Sequence, residues 1–212
     1  MKEPAPHSRP DQPVQSGRPA PDGVRTPLRY RTVDIVVPAV LGVAIGVVFW
    51  LWNMVWTVTT PVFAFFPPAQ ALIYGVWLLP GVLGGLIVRK PGVAVLTSTA
   101  AAAVSMVLGG PWGVEIVLAG FVQGLLSELV FAAARYRRWG LPTAVLAAAA
   151  GGLAPAVWDN VRYYVTWPLS YQLAFGVIVV LSAALIGGVG ARLLTSALAR
   201  AGALAPFPSA RG

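Results

Sequence analysis

The sequence has no cysteine, a single histidine and few charged residues. Without cysteine the chain forms neither a disulfide nor a thiolate metal site. The one histidine, His7, lies in a polar N-terminal segment, so histidine does not serve catalysis or metal binding in the apolar remainder. Charged residues make up 10% of the chain and hydrophobic residues 57%, whereas roughly 25% of residues are charged in soluble proteins. A cytosolic globular enzyme is therefore excluded.

The motifs of several enzyme classes are also missing. The sequence contains no G-x-x-x-x-G-K-[ST] phosphate loop, no G-x-S-x-G elbow and no H-E-x-x-H helix. An intramembrane enzyme would need a nucleophile and a base, and no plausible pair is present. The net charge of +8 comes from a tail and from short breaks between apolar runs, which is unlike the clustered basic face of a nucleic-acid-binding protein. We therefore expect no catalytic residues, cofactor, metal or nucleic-acid partner.

Composition divides the chain into three parts. Residues 1–29 are rich in proline, serine, glycine and charge, and such a segment cannot bury enough apolar surface to offset its ordering entropy. We predict a disordered cytoplasmic tail over 1–29, a membrane domain over 30–200 and a short C-terminal tail over 201–212.

Six apolar runs follow one another in the central part. A helix needs about 20 residues to cross the hydrocarbon core of a bilayer, and helices pair all their backbone groups internally, as lipid requires. The fold class we predict is an all-α integral membrane protein with six transmembrane helices. The predicted spans are 33–56, 70–88, 92–108, 114–134, 141–160 and 171–198.

The positive charges predict the orientation of these spans. If six helices alternate in direction, 14 of the 15 lysines and arginines fall on one side, and only Arg162 falls on the other. Because positive residues favour the cytoplasmic side, both termini are predicted to be cytoplasmic.

The fourth span has one polar face. At 100° per residue, the residues of this face lie within an arc of about 120°; they are Trp112, Glu115, Ala119, Gln123 and Ser127. Two interpretations stay open, a wall of a ligand pocket entered from outside and a polar seam that binds helices together.

The remaining acids and prolines have simpler interpretations. Glu128 points away from the polar face, and we expect a structural or coupling acid, with an arginine of the following loop as a candidate partner. Asp34 is expected to start the first helix, where an acid favours the helix dipole. Pro80 and Pro155 are predicted to lie inside helices 2 and 5 and to kink them.

Aromatic side chains gather at the ends of the spans that are predicted to face outside. Of eight tryptophans only Trp139 belongs to the cytoplasmic side; an interfacial belt should decorate both sides, so a pocket is favoured over a belt. Rings beside carboxylates suit a flat, amino-bearing or cationic heterocycle. Asp159 either pairs with Arg162 or contacts this ligand. The predicted substrate-binding residues are Trp50, Asn53, Tyr74, Trp77, Trp112, Glu115, Gln123, Asp159 and Tyr163.

Small residues on the first helix predict a close helix contact. Gly42 and Gly46 form a G-x-x-x-G pattern with Ala39 nearby, and such patterns let helices approach closely. The contact is either packing within the chain or docking of another membrane subunit.

Several stretches resemble a known family. They are DIVVPAVLGVAIGVVFWLW (34–52), YGVWLLPGVLGGLIVRKPG (74–92), GGPWG (109–113), QGLLSELVFAAARYRRW (123–139) and VWD (157–159). In these stretches the chain resembles the substrate-binding (S) component of an energy-coupling factor (ECF) transporter, of the YkoE family assigned to thiamine or its hydroxymethylpyrimidine precursor. The resemblance covers about residues 31–199, nearly the whole membrane domain.

The resemblance implies a function for the whole chain. It implies six helices in a bacterial cell membrane, an external vitamin site and no ATPase of its own. Transport would need a transmembrane coupling (T) subunit and a pair of ABC ATPases, with helix 1 as the docking face, which favours Ala39, Gly42 and Gly46 as interface residues. The alternative is a proton-coupled secondary transporter of a small cationic or heterocyclic solute. Its relay would be Glu115, Glu128 and Asp159, although the internal repeats usual in such proteins are not found.

Overall fold

A computed structural model describes residues 30–205, 207 and 209, and this part of the chain is helical and has no strand. The predicted tail over 1–29 lies outside the described residues, as do five positions of the predicted C-terminal tail. The helices are α1 (Thr32–Thr59), a 3₁₀ turn (Thr60–Phe63), a 3₁₀ helix (Pro67–Leu78), α2 (Leu79–Val88), α3 (Val93–Val107), α4 (Glu115–Ala133), α5 (Leu141–Arg162), α6 (Leu169–Ser182), a π-helical segment (Ala183–Val189) and α7 (Gly190–Arg200).

Five of the segments are long and apolar enough to cross a membrane. They are Thr32–Phe63, Pro67–Val88, Glu115–Ala133, Leu141–Arg162 and Leu169–Arg200. The remaining predicted span, the third (92–108), corresponds to α3, which has only 15 residues and is therefore about 22 Å long. The prediction of an all-helical membrane protein is confirmed for the described residues, and the count of six spans stays a prediction.

Hydrogen bonds between segments show that α1 and α3 run in the same direction and that α4 runs in the opposite direction. Near the ends of α1 and α3, Asn53 Nδ2 donates to Ser105 Oγ over 3.1 Å. Near the end of α4, Glu128 binds the backbone at the start of α3. We call the end where α1, α3 and α5 terminate the aromatic end. The opposite end, which carries Lys90 and the arginines after α4, is the basic end.

The second span changes helix type at its middle. Its first half is a 3₁₀ helix of 12 residues, although 3₁₀ runs longer than three or four residues are uncommon. Pro80 therefore lies in the first turn of α2, where a proline is tolerated, whereas Pro155 lies inside α5 as predicted. The kinks at the two prolines stay predictions. The carbonyl of Val76, four residues before Pro80, accepts a hydrogen bond from the backbone N–H of Leu79.

A serine of the last span stabilises this 3₁₀ helix. The hydroxyl of Ser182 accepts from the backbone N–H of Gly75 over 2.9 Å and donates to the carbonyl of Leu72 over 2.7 Å. It thus bridges two backbone groups that are three residues apart, which is the 3₁₀ spacing. A Cβ on Gly75 would lie 2.2 Å from the Ser182 carbonyl, so only glycine permits this approach. The π-helical segment that begins at the next residue was not predicted from the sequence.

The G-x-x-x-G pattern of α1 packs within the chain. Gly42 and Gly46 are buried, and a Cβ at either position would come within 2.6 Å of Ala100 or Val104 of α3. Ala39 is half-buried. Of the two interpretations, the structure shows intrachain packing for the two glycines. Docking of a partner at these residues stays a prediction.

Glu128 stabilises the start of α3. Its carboxylate accepts hydrogen bonds from the backbone N–H groups of Gly92 and Ala94 and from the hydroxyl of Tyr136, over 2.8–2.9 Å. The expected arginine of the following loop is not its partner. Backbone donors replace it because the two unpaired N–H groups at a helix start need an acceptor. Burial, and then the hydrogen bond with Glu128, raise the pKa of Tyr136 above its usual range.

Asp34 has the predicted place at the start of α1. It accepts from the backbone N–H of Arg31 over 2.7 Å and forms an ion pair with Lys90. The ring of Tyr30 lies 5.3 Å from the Lys90 ammonium group. The ion pair and the ring contact of Lys90 connect the start of α1 to the loop between α2 and α3.

Candidate functional site

A cavity of about 250 Å³ opens at the aromatic end. It lies between α1, the 3₁₀ helix, α4 and the end of α5. Its lining residues are Phe49, Trp56, Tyr74, Trp77, Ala102, Trp112, Glu115, Ile116, Ala119, Gly120, Gln123, Trp158, Asp159, Tyr163 and Tyr164. This volume suits one small organic molecule.

Three rings form a continuous aromatic surface in the cavity. The ring centres of Trp56, Tyr74 and Trp77 are 4.9–5.7 Å apart in edge-to-face geometry. In a 3₁₀ helix residues three apart are eclipsed, so Tyr74 and Trp77 project from the same side. The 3₁₀ geometry therefore brings both rings against Trp56 of α1 and offers flat faces to a planar ligand.

A second pair of rings lies at the mouth of the cavity. Trp112 belongs to the loop between α3 and α4, and its ring centre is 5.7 Å from that of Tyr163. The indole N–H of Trp112 donates to Asn53 Oδ1 over 3.3 Å, while the amide of Asn53 donates to Ser105. Asn53 is buried behind the cavity lining, and its hydrogen bond fixes the orientation of the Trp112 ring.

Polar groups inside the cavity lack sufficient partners within the chain. The indole Nε1 of Trp77 is buried and has no hydrogen-bond partner, and an unpaired buried donor costs roughly 1–3 kcal/mol. Asp159 is 8% exposed and interacts with the hydroxyl of Tyr74. Gln123 is also buried and lines the same space. The cavity therefore offers a ligand one N–H donor, one amide and one carboxylate.

An ion pair joins α4 and α5 at the mouth. Arg162 Nη2 lies 2.9 Å from Glu115 Oε1, and the Tyr163 hydroxyl donates to Glu115 Oε2 over 3.1 Å. Of the two interpretations of Asp159, pairing with Arg162 is therefore not found, because that arginine binds Glu115. Burial, and then the hydrogen bond to Glu115, raise the pKa of Tyr163 above its ordinary value. Its hydroxyl thus stays protonated at neutral pH and donates.

Seven of the nine predicted binding residues meet at this cavity. They are Tyr74, Trp77, Trp112, Glu115, Gln123, Asp159 and Tyr163. Asn53 lies behind the lining, and Trp50 does not contribute to it. That these residues bind a ligand stays a prediction.

Several lining residues are not among the predicted binding residues. Phe49 and Trp56 of α1 line the cavity, as do Trp158 and Tyr164. Phe49, Asn53 and Trp56 follow the spacing i, i+4, i+7, which shares one helix face, and all three are buried. This spacing could have identified Phe49 and Trp56 and excluded Trp50, which lies about 100° away on the helix.

The two interpretations of the polar face of α4 each describe part of it. Trp112, Glu115 and Gln123 line the cavity. Ser127, one turn further, donates to the carbonyl of Ala147 of α5 over 2.9 Å, which is the interhelical hydrogen bond expected of a polar seam. The face thus changes from cavity wall to packing seam between residues 123 and 127.

The acids do not form a continuous relay. Glu115 and Glu128 are 13 residues apart on α4, which separates them by about 20 Å along the helix. Glu128 binds backbone amides at the basic end, whereas Asp159 and Glu115 lie at the aromatic end. Within residues 30–205, no cluster of three or more acidic or histidine side chains suitable for a metal ion is present.

Comparisons with known proteins agree with this architecture. A family model described as "ABC-type cobalt transport system, permease component" matches residues 33–154. YkoE of Bacillus subtilis (strain 168), named as an HMP/thiamine permease protein, is 32% identical over 176 residues, which are 82% of this chain and 87% of YkoE. A crystal structure of an S component of an ECF transporter superposes with a TM-score of 0.81 at 30% identity. That likeness covers 86% of this chain and 92% of the other.

Proposed function

Because this chain belongs to the YkoE family of S components of ECF transporters, we propose that it captures thiamine or its hydroxymethylpyrimidine precursor at the aromatic end. Like other S components it is a membrane-embedded transport protein and not itself an enzyme. An S component works with a T component and ATPases. The finer proposals concern the ligand, the orientation and the docking surface.

The observation that carries the ligand proposal is the unpaired indole N–H of Trp77 in a cavity that also holds Asp159. An aminopyrimidine has ring nitrogens that accept from an indole N–H and an exocyclic amino group that donates to a carboxylate. Its flat ring stacks on aromatic faces such as those of Trp56 and Tyr74. Thiamine and hydroxymethylpyrimidine share this ring, and YkoE is named for both.

The contacts of α3 support six spans. This helix begins beside Glu128 at the basic end and reaches Asn53 at the aromatic end, so it traverses the bundle despite its length. With six spans, the positive-inside rule places the basic end in the cytoplasm and the cavity outside. We propose this orientation in the bacterial plasma membrane.

The T subunit is proposed to dock along α1. Of the five long spans, the one containing α1 has the smallest buried share, and the middle of its exposed side is apolar, with Val40, Val43, Val47 and Leu51. Gly42 and Gly46 would influence docking by holding α1 against α3. Ala39, which is half-buried, would lie at the border of this surface.

Equilibrium binding tests the proposed ligand. Purified protein in detergent, without ATP, is titrated with thiamine, with hydroxymethylpyrimidine and with the thiazole half of thiamine alone. We expect quenching of tryptophan fluorescence by the first two compounds, because both carry the aminopyrimidine, and none by the thiazole. A flat titration with all three, on protein whose folding is verified by circular dichroism, would contradict the proposal.

A matched tryptophan variant shows where quenching arises. Trp139 stacks on Phe131 at the basic end, with ring centres 5.1 Å apart, and does not line the cavity. Trp139→Phe is therefore expected to bind with unchanged affinity and to keep the full quenching amplitude. Loss of the signal in this variant would place the ligand elsewhere.

A further inference from the structure

The guanidinium group of Arg162 lies beside the carboxylate of Glu115, where a positively charged group of a ligand could also bind. Its guanidinium approaches both carboxylate oxygens of Glu115, with Nη2 at 2.9 Å from Oε1 and Nε at 3.4 Å from Oε2. The two residues belong to different helices, at the start of α4 and the end of α5. Glu115 lines the cavity, so its charge is already compensated before any ligand enters.

The charges at the aromatic end are few. Among residues 30–205, those at this end are the carboxylates of Glu115 and Asp159 and the guanidinium of Arg162. Because Arg162 pairs with Glu115, the carboxyl group in the cavity that has no cationic partner is that of Asp159, whose hydrogen-bond partner is the hydroxyl of Tyr74. While Arg162 pairs with Glu115, only Asp159 of the two acids is available in the cavity to bind an amino group or a cation of a ligand.

The ion pair is exposed enough to be exchanged. The side chain of Arg162 is 57% exposed and that of Glu115 is 34% exposed, and pairs in contact with water contribute little to stability. Tyr163 also donates to Glu115, so this carboxylate keeps one partner when Arg162 moves away. A ligand cation can therefore replace the guanidinium without leaving Glu115 unsatisfied.

We propose that Arg162 is a specificity-determining residue that competes with the positive charge of the ligand for Glu115. This inference rests on the proposed function. Thiamine carries a permanent positive charge on its thiazolium ring, whereas hydroxymethylpyrimidine is neutral at pH 7. Arg162 thus lowers the affinity for thiamine and leaves that for the pyrimidine unchanged, so it raises the dissociation constant of thiamine relative to that of the pyrimidine.

The variant Arg162→Gln tests this competition. It removes the competing cation and exposes a second carboxylate charge, so we expect thiamine to bind about three- to tenfold more tightly, as attraction between charges a few ångströms apart near a protein surface allows. The affinity for hydroxymethylpyrimidine should stay within twofold. Arg162→Lys keeps the positive charge and should therefore retain the wild-type ratio of the dissociation constants for thiamine and hydroxymethylpyrimidine. The ratio of the two dissociation constants is measured by titration.

The controls separate this role from a structural one. Arg137→Gln removes a charge at the basic end, where Arg137 is exposed, and should change neither affinity. If Arg162 only tied α4 to α5, Arg162→Gln would lower the melting temperature and weaken both ligands equally. Equal changes, or weaker thiamine binding, would overturn the inference. If the wild-type protein binds neither compound, the proposed function itself has failed.

Discussion

The two ends of the bundle use the same kind of residue in different ways. At the basic end, Glu128 accepts two backbone N–H groups and a tyrosine hydroxyl, and Asp34 pairs with Lys90. At the aromatic end, Asp159 faces a cavity, and Glu115 is held by a half-exposed arginine. Acids inside an apolar bundle are costly in both places. At the aromatic end the two acids also line the cavity.

The two ends thus differ in how far the partners within the chain satisfy each acid. A carboxylate saturated by backbone donors stabilises the fold and has little capacity left for a ligand. A carboxylate beside an unpaired donor such as Trp77 Nε1 offers binding capacity instead. Changes at the basic end should therefore affect stability, and changes at the aromatic end should affect ligand binding.

The largest effect is expected from Glu128→Ala. This variant leaves the backbone N–H groups of Gly92 and Ala94 and the hydroxyl of Tyr136 without their acceptor. We expect a loss of about 3 kcal/mol in the free energy of unfolding, because each unsatisfied buried group costs roughly 1–3 kcal/mol. Denaturant unfolding in detergent measures it. Affinity at temperatures where the protein is folded should change less than twofold; a large loss would mean that the two ends are coupled.

A smaller effect, of the opposite kind, is expected from Asp159→Asn. The variant has nearly the same shape and replaces the carboxyl group that lines the cavity with an amide. We expect both ligands to bind about 10- to 30-fold more weakly, because a hydrogen bond to a charged group contributes about 1.5–3 kcal/mol. The melting temperature should change little, since Tyr74 keeps a side-chain oxygen as its partner. Unchanged affinity together with lower stability would mean that Asp159, like Glu128, stabilises the fold and does not bind the ligand.

The smallest effect is expected from Trp77→Phe. It removes the N–H that has no partner in the chain, and we expect about fivefold weaker binding, in line with a net hydrogen-bond contribution of about 1 kcal/mol. Trp52→Phe is the matched control, because the indole N–H of Trp52 donates to the carbonyl of Ile73 over 3.1 Å. That variant should cost stability and leave affinity unchanged. If both variants reduce affinity equally, the N–H of Trp77 is not the recognition group.

Much of the site could be predicted because one-dimensional patterns place residues at helix ends. The position of Glu115 and Asp159 at the same end follows from the alternation of spans, and both line the cavity. Residue type alone favours Trp50, but the rotation of α1 turns its side chain away from the lining. Phe49 is not among the predicted binding residues, although its spacing to Trp56 indicates a shared face. Rotation about the helix axis depends on neighbouring helices, so composition alone does not determine it.

The sequence alone determined that this chain is helical and belongs in a membrane, because so few charges and such long apolar runs leave a bilayer as the only suitable solvent. The tertiary structure, in contrast, decides which donor each acidic side chain binds. Arg162 lies three residues from Asp159 in the chain, yet it pairs with Glu115. The 3₁₀ helix that presents Tyr74 and Trp77 likewise depends on Ser182, more than 100 residues away. Such contacts form only when the helices pack, since the groups that they join are distant in sequence.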